Sequence, residues 1–253
     1  MSAVTGRTEC DVTLFDVERR DVLGKVALAD KQGETRAAAK LIRHLGGTLP
    51  PGVFTFDCGI TSPRVLRAIA DRGHEVLAQV KGNCGDFYYA AMEYDWDALV
   101  GEYETIDVGH GRKELRCIKR ISIKNFAADL WLKYKGITHV LMVESYRQVG
   151  EDEPSFERRI YIASKGLKDW TLRRCLSVIR AHWIQENGLH WVKDAILKED
   201  CSQERRSNSS QILGALKDFV VYLGFRLAGS VRRFIDEFSA APHLIFERII
   251  YDS

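Results

Sequence analysis

Two short apolar runs that flank one helical segment constrain the fold of this chain most strongly. Residues 53–56 and Glu75–Val80 have the composition of buried strands, and residues 63–71 between them have helical character and stop at Gly73. A strand, a helix and a second strand in succession favour parallel pairing, because the helix returns the chain to the starting edge of the sheet. The pattern predicts an α/β core.

The segments before this unit extend it. Residues 12–17 and 22–29 are apolar runs separated by charged turn residues, which predicts a β-hairpin. Residues 35–45 place alanine, leucine and isoleucine on one helical face, and a stretch rich in glycine and proline follows at 46–51. The first 100 residues therefore predict the first part of the core.

The middle and the end of the chain have different patterns. Residues 103–164 contain mostly strand-like runs, so we expect 101–166 to form an antiparallel β-rich insertion. Residues 169–198 contain no proline and a single glycine, which predicts a long helix, and 211–227 and 231–238 predict two more. The segment 167–253 should complete the core with helices.

Cysteine usage and hydropathy indicate a reduced, cytoplasmic protein. The six cysteines include no CxxC pair, which argues against a structural zinc site and against a disulfide-dense secreted scaffold. We find no signal-peptide-like run at the N-terminus and no stretch of membrane-spanning length, so we expect no membrane partner.

Basic residues concentrate in two tracts, although 37 basic residues face 35 acidic ones in the whole chain. A charge run is usually a solvated face, but two tracts around one candidate active site favour a polyanion such as DNA, because neutralised phosphates supply the affinity of DNA-binding proteins. The first tract contains Arg112, Lys113, Arg116, Lys119, Arg120 and Lys124, and the second contains Arg158, Arg159, Lys165, Lys168, Arg173, Arg174 and Arg180.

Asp57 is the first residue that could carry chemistry. It follows the apolar run at 53–56 and precedes a Cys-Gly turn. Catalytic groups of open α/β sheets gather at the carboxyl ends of strands, which favours a functional role. The alternative is an aspartate that only starts a turn.

Glu186 is the second residue that could carry chemistry. His182, Glu186 and His190 repeat every four residues, so their side chains stack along one helical face. The two histidines are eight residues apart, about 12 Å along a helix, so they cannot share one zinc ion. The alternative reading is an amphipathic core helix whose polar groups face water.

Five stretches resemble one protein family in the same order. HWIQENGLHWVKDAILKED resembles the signature helix of insertion-sequence DDE transposases of the H-repeat-associated type, HW-x-IEN-x-LHWVLDV-x-F-x-ED. VFTFDCGIT, LAQVKGNC, VGHGRKELR and RIYIAS resemble further motifs of that family. The resemblance covers residue 14 to the C-terminus.

The resemblance implies an RNase H-like fold in which two aspartates and one glutamate hold two Mg²⁺ or Mn²⁺ ions. Asp57 would be the second acid and Glu186 the third, both as catalytic metal ligands. DNA at the transposon ends would be the partner, and a homo-oligomer or an association with intact transposase is a further expectation. The residues expected to contact phosphate are His182, Lys193, Lys81, His110, Arg112, Arg116 and Arg180.

One departure from the family pattern bears on catalysis. Thr5 stands where the family's first aspartate is expected, and the usual region before that strand is missing, as in an N-terminally truncated transposase. We therefore expect weak metal binding and a catalytically impaired protein that is inactive alone. The alternative is a non-catalytic DNA-binding remnant or a domesticated regulator. A metabolic α/β enzyme is disfavoured because Lys81-Gly82-Asn83-Cys84-Gly85 lacks the spacing of a phosphate-binding glycine loop.

Overall fold

The chain is a mixed α/β protein that divides into two compact units. The computed structural model describes residues 10–28, 33–99, 102–109, 111–185, 189, 191–198 and 207–251. The first unit comprises Met1–Val12 and Leu28–Arg180, and the second comprises Thr13–Ala27 and Ala181–Ser253. The expected α/β class is confirmed.

A six-stranded mixed sheet organises the first unit. Its strands, in chain order, are β3 (Val53–Phe54), β4 (Glu75–Val80), β5 (Glu102–Gly109), β6 (Arg112–Ser122), β7 (Ile137–Val149) and β8 (Ser155–Ser164). The spatial order is β3-β4-β8-β7-β6-β5. The pair β3–β4 is parallel, as the strand-helix-strand pattern predicts, and the other pairs are antiparallel. The strands expected as an antiparallel block therefore continue the sheet that contains β4.

Five helices of the first unit flank or follow these strands: α1 (Glu34–Leu45), α2 (Pro63–Ala70), α3 (Asp86–Glu93), α4 (Ala128–Trp131) and the start of α5 (Leu172–Gln185). The N-terminus of α2 has a proline in its first turn, and the Ser62 side chain accepts a hydrogen bond from the backbone of Val65. The first turns of α5 bury Cys175, Leu176 and Ile179 against the sheet.

His74 connects the loop after α1 to the start of β3. The backbone N–H of Gly52 donates to its Nδ1 at 3.2 Å, so its Nε2 carries the proton that it donates to the carbonyl of Gly46 at 2.6 Å. Both ring nitrogens are thus satisfied, as burial of an imidazole requires. This contact helps to hold α1 beside the strand that ends near Asp57.

The second unit is a hairpin with helices. Strands β1 (Cys10–Asp16) and β2 (Asp21–Leu28) pair as predicted, and their central residues belong to this unit. A π-helical turn, Val192–Ile196, precedes α6 (Ser207–Ala228), α7 (Val231–Ala240) and α8 (His243–Tyr251). Its core includes Leu189, Val192, Val221 and Val231.

The predicted helices at 211–227 and 231–238 are present as α6 and α7, whereas α3, α4 and α8 had no sequence prediction. Of the helix predicted at 169–198, the described parts are α5 and the π-helical turn. None of the described helices is both long and apolar enough to cross a lipid bilayer.

Candidate metal and nucleic-acid site

Asp57 lies exposed in the loop that follows β3. Its Oδ1 accepts a hydrogen bond from the backbone N–H of Ile60 at 3.3 Å, which orients the carboxylate in its own turn. The hydroxyl of buried Thr61 lies 3.0 Å from the carbonyl of Asp57 and 2.7 Å from that of Gln79 on β4. The loop that carries the acid is therefore attached to the neighbouring strand.

The loop after β4 meets the loop after β3. Lys81 is the first residue beyond β4 and is exposed, and the Asn83 side-chain amide donates to the carbonyl of Cys58. Because β3 and β4 are parallel, their carboxyl ends share one edge of the sheet. A carboxylate and an ammonium group thus stand in adjacent loops, a combination suited to a cation and a phosphate.

Glu34, the first residue of α1, is a further acid near Asp57 that the sequence analysis did not single out. Its Oε2 approaches Gly59, the residue two positions after Asp57. Glu34 lies in no motif and precedes the apolar periodicity of its helix, so only the fold connects it with this loop.

Two predicted site residues, Glu186 and His110, lie outside the described residues. The expected convergence of Asp57 and Glu186 therefore stays a prediction. His182 is described and is half-buried on α5 in the second unit.

Lys193, expected to contact phosphate, is buried in the second unit. Its Nζ lies 2.9 Å from Oδ1 of Asp218 on α6, and both side chains are 10% exposed or less. The Nζ of Lys25 lies 3.6 Å from the other oxygen of the same carboxylate. A phosphate contact by Lys193 would require this ion pair to open.

Arg112, Arg116 and Arg180 lie in one network with two acids. Arg116 pairs with Asp107 and, at 2.5 Å, with Glu114. Arg180 reaches Asp107 at 3.0 Å, and Arg112 reaches Glu114 at 3.6 Å. Three guanidinium groups thus face two carboxylates, so the network carries a single net positive charge. The side chains of Arg112 and Arg180 are 45% and 47% exposed, and that of Arg116 is 13% exposed.

Other residues of the basic tracts serve the fold. The guanidinium of Arg120 donates to the carbonyls of Leu167 and Trp170 at 3.2 and 2.8 Å, which holds the turn that leads into α5. Arg158 pairs with Glu144 on β7, and Arg159 pairs with Glu157 on its own strand. The positive charge available for a polyanion is therefore smaller than the tract composition indicates.

A second group of possible metal ligands, Glu102, Glu104 and Cys117, lies where β5 pairs with β6. Burial and the hydrogen bond to Glu102 raise the pKa of the Cys117 thiol to about 12, so the sulfur keeps its proton. The Nζ of Lys119 lies 3.3 Å from Glu102, and the Cys117 and Lys119 hydrogen bonds lower the pKa of that carboxyl. Because the Lys119 ammonium already pairs with Glu102, a metal ion bound here would have to displace that ammonium and the thiol proton.

Comparisons with known proteins match this chain to three relatives. It is 31% identical over 219 residues to "Putative transposase YncI" of Escherichia coli O157:H7, which covers 84% of this chain and 55% of the relative. It is 25% identical over 218 residues to "H repeat-associated putative transposase YhhI" of Escherichia coli K12, which covers 83% of this chain and 56% of that protein. "Putative protein YbfL" of the same strain matches to the same extent.

The chain is homologous to YncI and YhhI, whose names describe them as putative transposases. The family resemblance seen in the five motifs is thereby confirmed. The chain spans a little more than half the length of the relatives that it matches. No protein-family model matches it.

Proposed function

We propose that this chain is a transposase-derived protein with an RNase H-like core that acts on DNA and is catalytically impaired. One observation carries the proposal. In a homologue of proteins named as transposases, the exposed carboxylate of Asp57 stands at the carboxyl edge of two parallel strands, in the loop adjacent to Lys81. In this proposal β3 and β4 belong to the core and β5–β8 are its insertion.

The group that Asp57 would hold is a divalent cation, Mg²⁺ or Mn²⁺. The donor set fits, because these hard cations prefer carboxylate oxygens. The backbone fits as well, because Gly59 leaves open a space whose nearest atom is Asp57 Oδ1, 3.3 Å from where a Cβ would lie. Glu186 would supply a further oxygen. When bound, the ions would activate a water or a DNA 3′-hydroxyl and stabilise the leaving oxygen.

The residues of the chain would then have separate roles. Asp57, oriented by the backbone N–H of Ile60, would offset the charge of the cations. Lys81 would hold a DNA phosphate in the adjacent loop. The impairment follows from Thr5, because a hydroxyl at the position of the first aspartate cannot offset the charge of two cations as a carboxylate does.

A binding and cleavage experiment tests the proposal. Fluorescein-labelled duplexes, one of random sequence and one that carries the ends of the element, are titrated with the full chain at several salt concentrations. We expect binding that weakens as salt rises, because each neutralised phosphate should contribute about −0.9 to the slope of the logarithm of the binding constant against the logarithm of the salt concentration. With Mg²⁺ or Mn²⁺ we expect no appreciable strand cleavage. Binding that is absent at low salt would contradict the DNA partner, and cleavage that Asp57→Ala abolishes would contradict the impairment.

A pair of variants tests where the DNA binds. Asp107→Asn removes the acid that holds Arg116 and Arg180, so it should raise the affinity and steepen the salt dependence. Asp71→Asn is the matched control, because it also removes one surface carboxylate and releases a basic partner, Lys135 at 3.2 Å. Equal effects of the two variants would exclude the arginine network as the DNA-binding surface.

A further inference from the structure

Gly59 leaves room between two carboxylates. A Cβ at this position would lie 3.3 Å from Asp57 Oδ1, 3.6 Å from Asp57 Oδ2 and 3.8 Å from Glu34 Oε2. Both acids therefore approach one point in space. The backbone of Gly59 lies outside the left-handed region, so its conformation does not require glycine. The absence of a side chain matters here for the volume that it leaves open.

Neither carboxylate has a cation beside it within the described residues. Among the described residues, the Asp57 side chain accepts a hydrogen bond from the Ile60 N–H, and the Glu34 side chain has no hydrogen bond or ion pair. Two negative charges that share a gap repel each other, and a cation placed between them removes that repulsion. The same gap is lined by oxygen atoms, which are the ligands that divalent cations prefer.

We propose that Glu34 is a ligand of the divalent cation held by Asp57. The inference rests on the proposed function, because it takes Asp57 as a metal ligand. Glu34 brings a carboxylate from α1 to the edge of the sheet where β3 ends, so a cation at Gly59 would bind oxygens from two separate elements. This acid adds negative charge to a site at which this chain has Thr5 where the family pattern has an aspartate.

A purely structural role for Glu34 makes a different prediction. Glu34 opens α1, whose N-cap Gly33 forms no side-chain cap, and an acid in the first turn stabilises a helix through its dipole. In that case Glu34→Gln would lower the thermal midpoint of the protein without changing its affinity for metal. If Glu34 is a metal ligand, Glu34→Gln must instead lower the affinity for the metal.

Manganese binding to the full chain separates these roles. The Kd for Mn²⁺ is measured by calorimetry and by the electron paramagnetic resonance signal of free Mn²⁺, and circular dichroism checks the fold of each variant. We expect Glu34→Gln to weaken Mn²⁺ binding by about tenfold or more, and Asp57→Asn to weaken it as well. Asp129→Asn, which removes a first-turn acid from α4, is the matched control and should leave the Kd unchanged.

Gly59→Ala is an independent test, because it preserves both charges. Its methyl group would occupy the gap at 3.3 Å from the Asp57 carboxylate, so it should weaken Mn²⁺ binding in a protein that remains folded. If Asp57→Asn weakens binding while Glu34→Gln and Gly59→Ala do not, Glu34 is not a ligand and the proposed function stands. If the unmodified chain fails to bind Mn²⁺, or if Asp57→Asn has no effect, the metal site of the proposed function fails together with the inference.

Discussion

Removal of the carboxylate of Asp218 should destabilise the second unit strongly. The side chain of Lys193 is 7% exposed and its Nζ lies 2.9 Å from Asp218 Oδ1. Asp218→Asn preserves the shape of the side chain but leaves a buried ammonium group without this counter-charge. Loss of one partner of a buried ion pair costs about 3–5 kcal/mol, because the remaining charge stays desolvated. We expect a loss in this range.

The matched control is Asp236→Asn in the same unit. Asp236 pairs with Arg232 one helical turn away at 3.4 Å, and the two side chains are 62% and 74% exposed. An exposed pair of this kind contributes about 0.3–0.5 kcal/mol. The two substitutions are chemically identical, so the difference between them measures the effect of burial.

Urea unfolding followed by far-UV circular dichroism gives the free energy of unfolding of each variant. Hydrogen exchange on peptides from α6 and α7 shows whether the loss is confined to the second unit. A further variant, Asp218→Leu with Lys193→Met, removes both buried charges and leaves Lys25, whose side chain is 25% exposed and can reach water, so it should recover most of the lost stability. If Asp218→Asn is no more destabilising than Asp236→Asn, the ion pair does not stabilise this unit, and Lys193 becomes available for the phosphate contact that its sequence position predicts.

Two further predictions concern titratable groups in the first unit. Burial, and then repulsion from Arg120, lower the pKa of His139 below 6.5, so the unfolded chain takes up the proton more readily than the folded one. The stability that this residue contributes is complete above about pH 6.5 and is lost as the pH falls. The urea midpoint of the natural chain should drop more between about pH 7.5 and pH 5.5 than that of His139→Gln, and equal drops would contradict the assignment. Iodoacetamide should label half-buried Cys58 before the three buried thiols, Cys84, Cys117 and Cys175, because burial raises the pKa values of those three. Equal labelling of these four cysteines, measured by mass spectrometry of the native protein, would contradict this prediction.

The sequence alone determined the type of most elements and the place of Asp57. Glu75–Val80 is a mostly apolar strand bounded by turn residues, and α2 opens with a serine and a proline, so neighbouring residues specify both. Asp57 could be placed at the end of a strand because the apolar run stops there. The family could be identified because its motifs are also local stretches of sequence.

Only the tertiary structure decided which distant residues meet. The pairing of β4 with β8, the burial of Lys193 against Asp218, and the approach of Glu34 to the loop of Asp57 join positions far apart in the chain. Spacing along a helix or strand carries no information about such contacts, since they depend on which surfaces bury each other. For the same reason the basic tracts suggested more free positive charge than the fold leaves, because the carboxylates that pair with their arginines lie partly on neighbouring strands.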